Sequence, residues 1–192
     1  SYNQYLIWTK KWTQKIKSKL VNSGFFLLNV ANDSETTIKA FEIMTICIEN
    51  GWKLHDTIIL NIYNRQPCNS KRNLTNQTEF LFVFRHNSNN VIINKENIKE
   101  EYPDIFKSKN IGNIWNIPFR INKDSNLKKV NGGSKNWGHS GFSTELCELV
   151  IKLFSKEGDT ILDCFGGNFK MENIATELNR SPIGIDMNFN II

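Results

Sequence analysis

Hydrophobic positions along this 192-residue chain switch between two spacings, and the switches outline alternating helices and strands. Trp8, Trp12, Ile16 and Leu20 recur every fourth residue, which predicts a helix with one apolar face. Asn22-Ser23-Gly24 should end it, because glycine readily takes the left-handed cap conformation. Phe25–Val30 is a continuous apolar run of strand length, the pattern of a sheet covered on both faces. A second helix carrying Ile38, Phe41 and Ile48 is expected next, capped by Asp33 or Ser34 and stopped at Gly51. Leu54–Ile62 is β-branched and partly alternating and reads as a strand, as does Glu79–Arg85. Between them, Asn64–Asn76 holds Pro67 and many short polar residues and reads as a loop.

From His86 to Gly138 the pattern weakens: Asn, Lys and Gly dominate, with Trp115 and Trp137 interspersed, and loops this long are usually functional or mobile. Trp115, inside Ile114-Trp115-Asn116-Ile117-Pro118, is expected to be a packing anchor. Leu146, Leu149, Val150, Leu153 and Phe154 then define an amphipathic helix that leads through Glu157-Gly158-Asp159 into a short strand, Thr160–Asp163. A second short strand, Ile183–Asp186, follows one helix later. The two are expected to be parallel neighbours in one sheet, joined by a crossover, with the Leu146–Phe154 helix packed on one face.

That strand pair carries the chemistry. Asp159-Thr160-Ile161-Leu162-Asp163-Cys164-Phe165-Gly166-Gly167 runs an apolar strand into an acid and a tight glycine turn, and Ile183-Gly184-Ile185-Asp186 ends the next strand in an acid. This order builds a nucleotide pocket at the carboxyl edge of a parallel sheet: glycines let the backbone approach the ligand, and the second acid can hold ribose hydroxyls. Phe142, Ser143 and Thr144 open the preceding helix, where free backbone donors can bind a carboxylate, although Ser143 also suits a simple helix cap.

Composition narrows the partners. The length suits one domain, and an apolar share of 40% argues for a globular chain rather than a disordered one. No apolar run approaches the ~18 residues of a membrane span, and Ser1-Tyr2-Asn3-Gln4 lacks a secretory pattern; a cytoplasmic location is expected. The absence of an initiator Met suits a fragment or a processed chain. Cys47, Cys68, Cys147 and Cys164 form no Cys-x-x-Cys pair, and His55, His86 and His139 are equally scattered, so reduced thiols and no metal are expected. The formal charge of +5 suits a polyanion, with Lys10, Lys11, Lys15, Lys17 and Lys19 clustered early and Lys128, Lys129 and Lys135 later. The early cluster fits a solvated helix face as well as a nucleic-acid contact.

The segment His139-Ser140-Gly141-Phe142-Ser143-Thr144-Glu145-Leu146, followed by a helix and then Asp163-Cys164-Phe165-Gly166-Gly167, resembles the DNA methyltransferases that modify exocyclic amino groups, the cytosine-N4 and adenine-N6 enzymes. The likeness is to their circularly permuted branch, in which the cofactor half follows the catalytic half. Ser143 and Cys164 stand where that family has prolines, and Asn168-Phe169-Lys170-Met171 stands where it has x-Gly-Thr-Thr. Tyr5–Leu20 with Gly24–Val30, Gly51–Ile59, Arg72–Phe84 and Asn113–Pro118 resemble further family segments in the expected order.

The resemblance implies an α/β, Rossmann-like S-adenosylmethionine-dependent methyltransferase fold truncated at both ends. Residues 1–86 would supply catalytic-half helices and strands, 87–138 a variable segment suited to target recognition, and 139–192 the cofactor half. The strands Leu54–Ile62 and Glu79–Arg85 would form the antiparallel pair that ends such sheets. The implied cofactor contacts are Phe142, Ser143, Thr144, Asp163, Phe165, Gly166, Gly167 and Asp186, with S-adenosylmethionine as cofactor and double-stranded DNA as substrate. A restriction endonuclease of the same system is a candidate partner. No catalytic residue is assigned: the family's Asp/Ser/Asn-Pro-Pro-aromatic loop is expected just before residue 1, and residues 1–192 hold four prolines and no Pro-Pro pair. Two alternatives stay open. One is a non-catalytic methyltransferase-like DNA-binding subunit, and the other is an unrelated nucleotide-binding α/β enzyme.

Overall fold

A computed structural model describes residues 1–33, 36–63, 65, 67–69, 71–86, 91–106, 110–118, 142–167 and 169–187. Ser34, Trp137, His139, Asn168 and the later lysines, singled out above, lie outside the described residues. The chain divides into two units, Ser1–Ile117 and Pro118–Ile192.

The first unit is a mixed sheet with helices. Its elements are α1 (Tyr2–Lys17), β1 (Phe25–Val30), α2 (Lys39–Glu49), β2 (Lys53–Asn61), β3 (Thr78–Arg85), α3 (Ile98–Glu101) and β4 (Ile114–Asn116). The strand order is β1-β3-β2-β4. β3 lies antiparallel between β1 and β2, pairing Phe26 with Phe84 on one side and Ile58 with Leu81 on the other. The antiparallel pair expected from the resemblance is therefore present, but β4 extends the sheet past it by pairing parallel to β2. Leu81–Phe84 are buried on both faces, so the most continuous apolar run in the sheet belongs to β3. β1 pairs only with β3 among the described residues, and its apolar run is only half-buried apart from Phe26 and Val30. Phe26, Val30, Ala40, Ile43, Cys47, Trp52, Phe82 and Phe84 form the core beneath the helices.

In α1, Trp12 and Ile16, with Leu20 just past the helix end, pack against this core as their spacing implies, while Trp8 is 46% exposed and the fully buried residues are Thr9 and Thr13. The α2 face differs from the expectation: Ala40, Ile43 and Cys47 are buried, and Ile38, Phe41 and Ile48 are exposed. The Thr13 hydroxyl donates to the Thr9 carbonyl (2.8 Å) and accepts from Asn50 Nδ2 (2.7 Å), while Trp52 Nε1 donates to the Thr13 carbonyl (3.2 Å). Thr13→Val keeps the volume and removes the hydroxyl, so it should cost about 1 kcal/mol of stability, read as a lower urea midpoint at unchanged slope. The α2 cap also differs: Ile38 is the N-cap without a side-chain bond, Asp33 Oδ1 accepts from Thr36 N (2.7 Å), and Asn32 Oδ1 reaches the Ala40 N–H (2.8 Å). Gly51 ends the helix as expected, at φ 81°.

Part of the weakly patterned stretch is folded. Ile98, Tyr102, Ile105, Phe106, Trp115 and Ile117 are buried, and Trp115 meets Phe106 edge-on while its Nε1 donates to the Gly112 carbonyl (2.9 Å). Trp115 is a packing anchor, as its flanking residues imply.

The second unit holds α4 (Thr144–Phe154), β5 (Thr160–Asp163), α5 (Lys170–Glu177) and β6 (Ser181–Gly184). β5 and β6 are parallel neighbours, Thr160 opposite Ser181 and Asp163 opposite Gly184. β6 thus begins two residues before the expected strand and leaves Ile185 and Asp186 just past its end. Pro182 is accommodated because β6 pairs only with β5 among the described residues, so the missing N–H disrupts no second ladder. Cys147 and Ile151 of α4 pack with Ile174 and Ala175 of α5, with Ile161 of β5 against them.

Candidate cofactor site

The glycine turn follows from its local sequence. Asp163 ends β5 and its Oδ1 accepts the Phe165 N–H (2.9 Å), folding the chain back over the strand end. Gly166 N donates to the Ile185 carbonyl (2.9 Å) and Ile185 N to the Asp163 carbonyl (2.8 Å), so the turn is laced to the segment after β6. Gly167 takes φ 56°, where a side chain would be strained, and its N–H donates to Asp186 Oδ2 (3.0 Å). The two acids that the sequence picked out therefore stand at the same edge, one at each end of the same turn.

The start of α4 belongs to this edge too. Ser143 caps the helix, its Oγ accepting the Leu146 N–H (3.2 Å). Ser143→Ala should cost about 1 kcal/mol, measurable as a lower melting temperature. Lys170, the first residue of α5, donates from Nζ to the Phe142 carbonyl (2.8 Å), which ties the approach to α4 to the glycine turn's helix. Phe142 is itself 43% exposed and Thr144 is exposed. Of the eight expected residues, Asp163, Phe165, Gly166, Gly167 and Asp186 are joined through the turn. Phe142 is linked through Lys170, Ser143 acts as a cap, and Thr144 is exposed at the helix start.

Two further residues border the turn: Phe169, already noted as a departure from the family's glycine, and Glu172, which the sequence does not single out. Phe169 adopts the left-handed conformation (φ 57°, ψ 31°) and serves as the N-cap of α5. Its ring lies so close to two glycines that a Cβ on Gly166 would meet it at 2.9 Å and one on Gly184 at 2.6 Å. Glu172, 9% exposed, sits in the same gap with Oε1 against both glycines, and neither carboxylate oxygen has a hydrogen-bond partner in another of the described residues. Burial pushes the Glu172 carboxyl above its ordinary range and Asp163 adds to this, while its own backbone amide pulls the other way. The thiol beside the site is inert: burial pushes Cys147 up to about 12, so it stays protonated. No cluster of three or more metal-ligating side chains occurs among the described residues.

These residues fit a cationic nucleotide-type cofactor. Glycines at 166 and 167 leave backbone accessible, Asp186 can face a ribose, and the edge carries the carboxylates Asp163, Glu172 and Asp186.

The N6/N4 DNA methylase family model matches residues 1–192. Among curated relatives, the type II methyltransferase M.Cfr9I of Citrobacter freundii is 29% identical over 140 residues, covering 73% of this chain and 42% of that protein. M1.MboII of Moraxella bovis is 23% identical over 98% of this chain and 76% of its own length. The chain therefore spans well under half of the first relative and about three quarters of the second. Among solved structures, the PvuII cytosine-N4-specific DNA methyltransferase superposes with a TM-score of 0.75 at 16% identity, over 97% of this chain and 67% of that one. The M1.HpyAVI–SAM complex gives 0.60 at 21% identity, over 92% and 75%. The chain shares the α/β fold of these two solved methyltransferases, and it belongs to the N6/N4 DNA methylase family.

Proposed function

We propose that this chain forms part of a DNA methylase that moves a methyl group from S-adenosylmethionine to the exocyclic amino group of cytosine or adenine. The observation that carries the reading is the closed glycine turn. Gly167 N–H bonds Asp186 at the carboxyl edge of two parallel strands, in a chain that matches the amino-methylase family from end to end. Bound there, S-adenosylmethionine supplies an electrophilic methyl on a sulfonium. Asp163, Phe165, Gly166 and Gly167 would hold its amino-acid end together with the α4 start at Phe142, Ser143 and Thr144. Asp186 would hold the ribose hydroxyls. The base must be flipped out of the duplex to reach such a site, and the net charge of +5 favours the approach of DNA. On this reading residues 1–86 and 139–192 are the two halves of the methylase core and 87–138 reads the target. The protein works in the cytoplasm on double-stranded DNA, and a restriction endonuclease of matching specificity is its natural companion.

Asp186→Asn keeps an oxygen for the Gly167 N–H and removes the charge. It should weaken S-adenosylmethionine binding by about 1.5–3 kcal/mol, read by calorimetric titration, because bonds to a charged acceptor are lost. Equal affinities would remove Asp186 from the site. Phe169, a left-handed residue where the family has glycine, favours a second reading as a non-catalytic DNA-binding subunit. That reading predicts no cofactor binding by either protein and retained DNA binding.

A further inference from the structure

Resting on the cofactor site proposed above, we infer that Glu172 makes that site discriminate by charge, favouring the sulfonium cofactor over its uncharged-sulfur product. The carboxylate is more than nine-tenths buried, and neither oxygen has a hydrogen bond or ion pair to another of the described residues. Its position is fixed by what it touches. Oε1 lies against Gly166 of the turn and Gly184 at the end of β6, with the Phe169 ring alongside. It therefore stands immediately behind the backbone that would carry the ligand. A buried carboxylate left without a partner is costly, and an opposite charge nearby lowers that cost.

Asp163 is another acid on the same edge and Asp186 a third, and the single ammonium of Lys170, which donates to the Phe142 carbonyl at 2.8 Å, balances at most one of the three. A ligand entering at Gly166–Gly167 thus meets an excess of negative charge. S-Adenosylmethionine carries a sulfonium, an ammonium and a carboxylate, and is a net cation. When its methyl leaves with the acceptor amine, the S–CH3 electron pair stays on sulfur and the product, S-adenosylhomocysteine, is net neutral. A net negative charge behind the turn acts on the first molecule and hardly on the second. Product release is thereby eased without weakening cofactor capture.

The test is calorimetric titration of the 192-residue chain and of Glu172→Gln with S-adenosylmethionine and with S-adenosylhomocysteine at about pH 8, on the alkaline side because burial raises the Glu172 carboxyl. Glutamine keeps the shape and removes the charge. The preference of the wild type for the sulfonium form should fall on the order of five- to tenfold in the variant, the loss lying in S-adenosylmethionine affinity, and it should shrink in high salt. Damage to packing alone would weaken both ligands equally and leave the ratio unchanged, which would overturn the inference while the site stands. Failure of both ligands to bind the wild type would overturn the site and the inference together. Should Glu172→Gln not fold, judged by circular dichroism, Glu172→Ala takes its place with the same expected fall in ratio.

Discussion

Incubated with duplex DNA and S-adenosylmethionine, residues 1–192 alone are expected to transfer no measurable methyl group, and the same chain joined to a segment carrying an Asp/Ser/Asn-Pro-Pro-aromatic loop is expected to methylate. The lone pair of an exocyclic amine is delocalised into its ring, so transfer needs acceptors that draw on the amino hydrogens and an aromatic that stacks on the flipped base. Residues 1–192 contain no Pro-Pro pair, and Tyr2 already lies within α1 with its hydroxyl bonded to Glu42. Misplacement of a reacting group by about 1 Å costs ~100-fold in rate, and losing the groups altogether costs more. Tritium transfer from labelled cofactor into DNA measures this. Robust sequence-specific methylation by residues 1–192 would mean that the catalytic groups lie within them.

Gly184→Val should be among the most damaging single substitutions in the second unit. A Cβ at this position would stand 2.6–2.7 Å from the Phe169 ring and closer still to Glu172 Oε1, both of them held between α5 and β6. The ring and the carboxylate must move, the turn bonded to Ile185 moves with them, and overpacking of this kind costs about 3 kcal/mol. The loss should appear as a reduced denaturant midpoint together with lost cofactor binding. Shortening the obstruction should restore part of it: in a Phe169→Ala background the cost of Gly184→Val should fall by about 1 kcal/mol or more, the coupling expected of residues in contact. Additive effects in that cycle would show that Phe169 does not fill the gap. Gly158→Ala is a useful contrast, since nothing lies within 4 Å of its Cβ position and only its φ of 83° opposes the change.

The glycine turn was legible because its chemistry is local: an acid, two glycines and a second acid one helix later are adjacent in sequence or fixed by one crossover. Even so, the second strand was read two residues late, since Ile185 looks like strand by composition while the pairing with β5 ends at Gly184. The helix faces are legible only in part. Trp12, Ile16 and Leu20 pack against the core as their spacing implies. Periodicity weighs bulk, however, so Trp8 and Phe41 stand out although they are exposed, while the small residues Thr9, Thr13 and Ala40 are fully buried. The stretch from His86 to Gly138 looks patternless because, in its described part, Ile98, Tyr102, Ile105, Phe106, Trp115 and Ile117 are buried singly or in pairs and no period connects them. Glu172 could not have been found from sequence. An acid in the first turn of a helix ordinarily signals a favourable dipole contact, and only the proximity of Gly166 and Gly184 shows that it is enclosed.

The most direct test of the cofactor assignment is a 15N-resolved NMR titration of the chain with S-adenosylmethionine. The amides of Phe165, Gly166, Gly167 and Asp186 should shift most and saturate together, with those of β3 in the sheet centre nearly unmoved. Saturation with no shift at the glycine turn, or shifts confined to residues 1–117, would contradict the account.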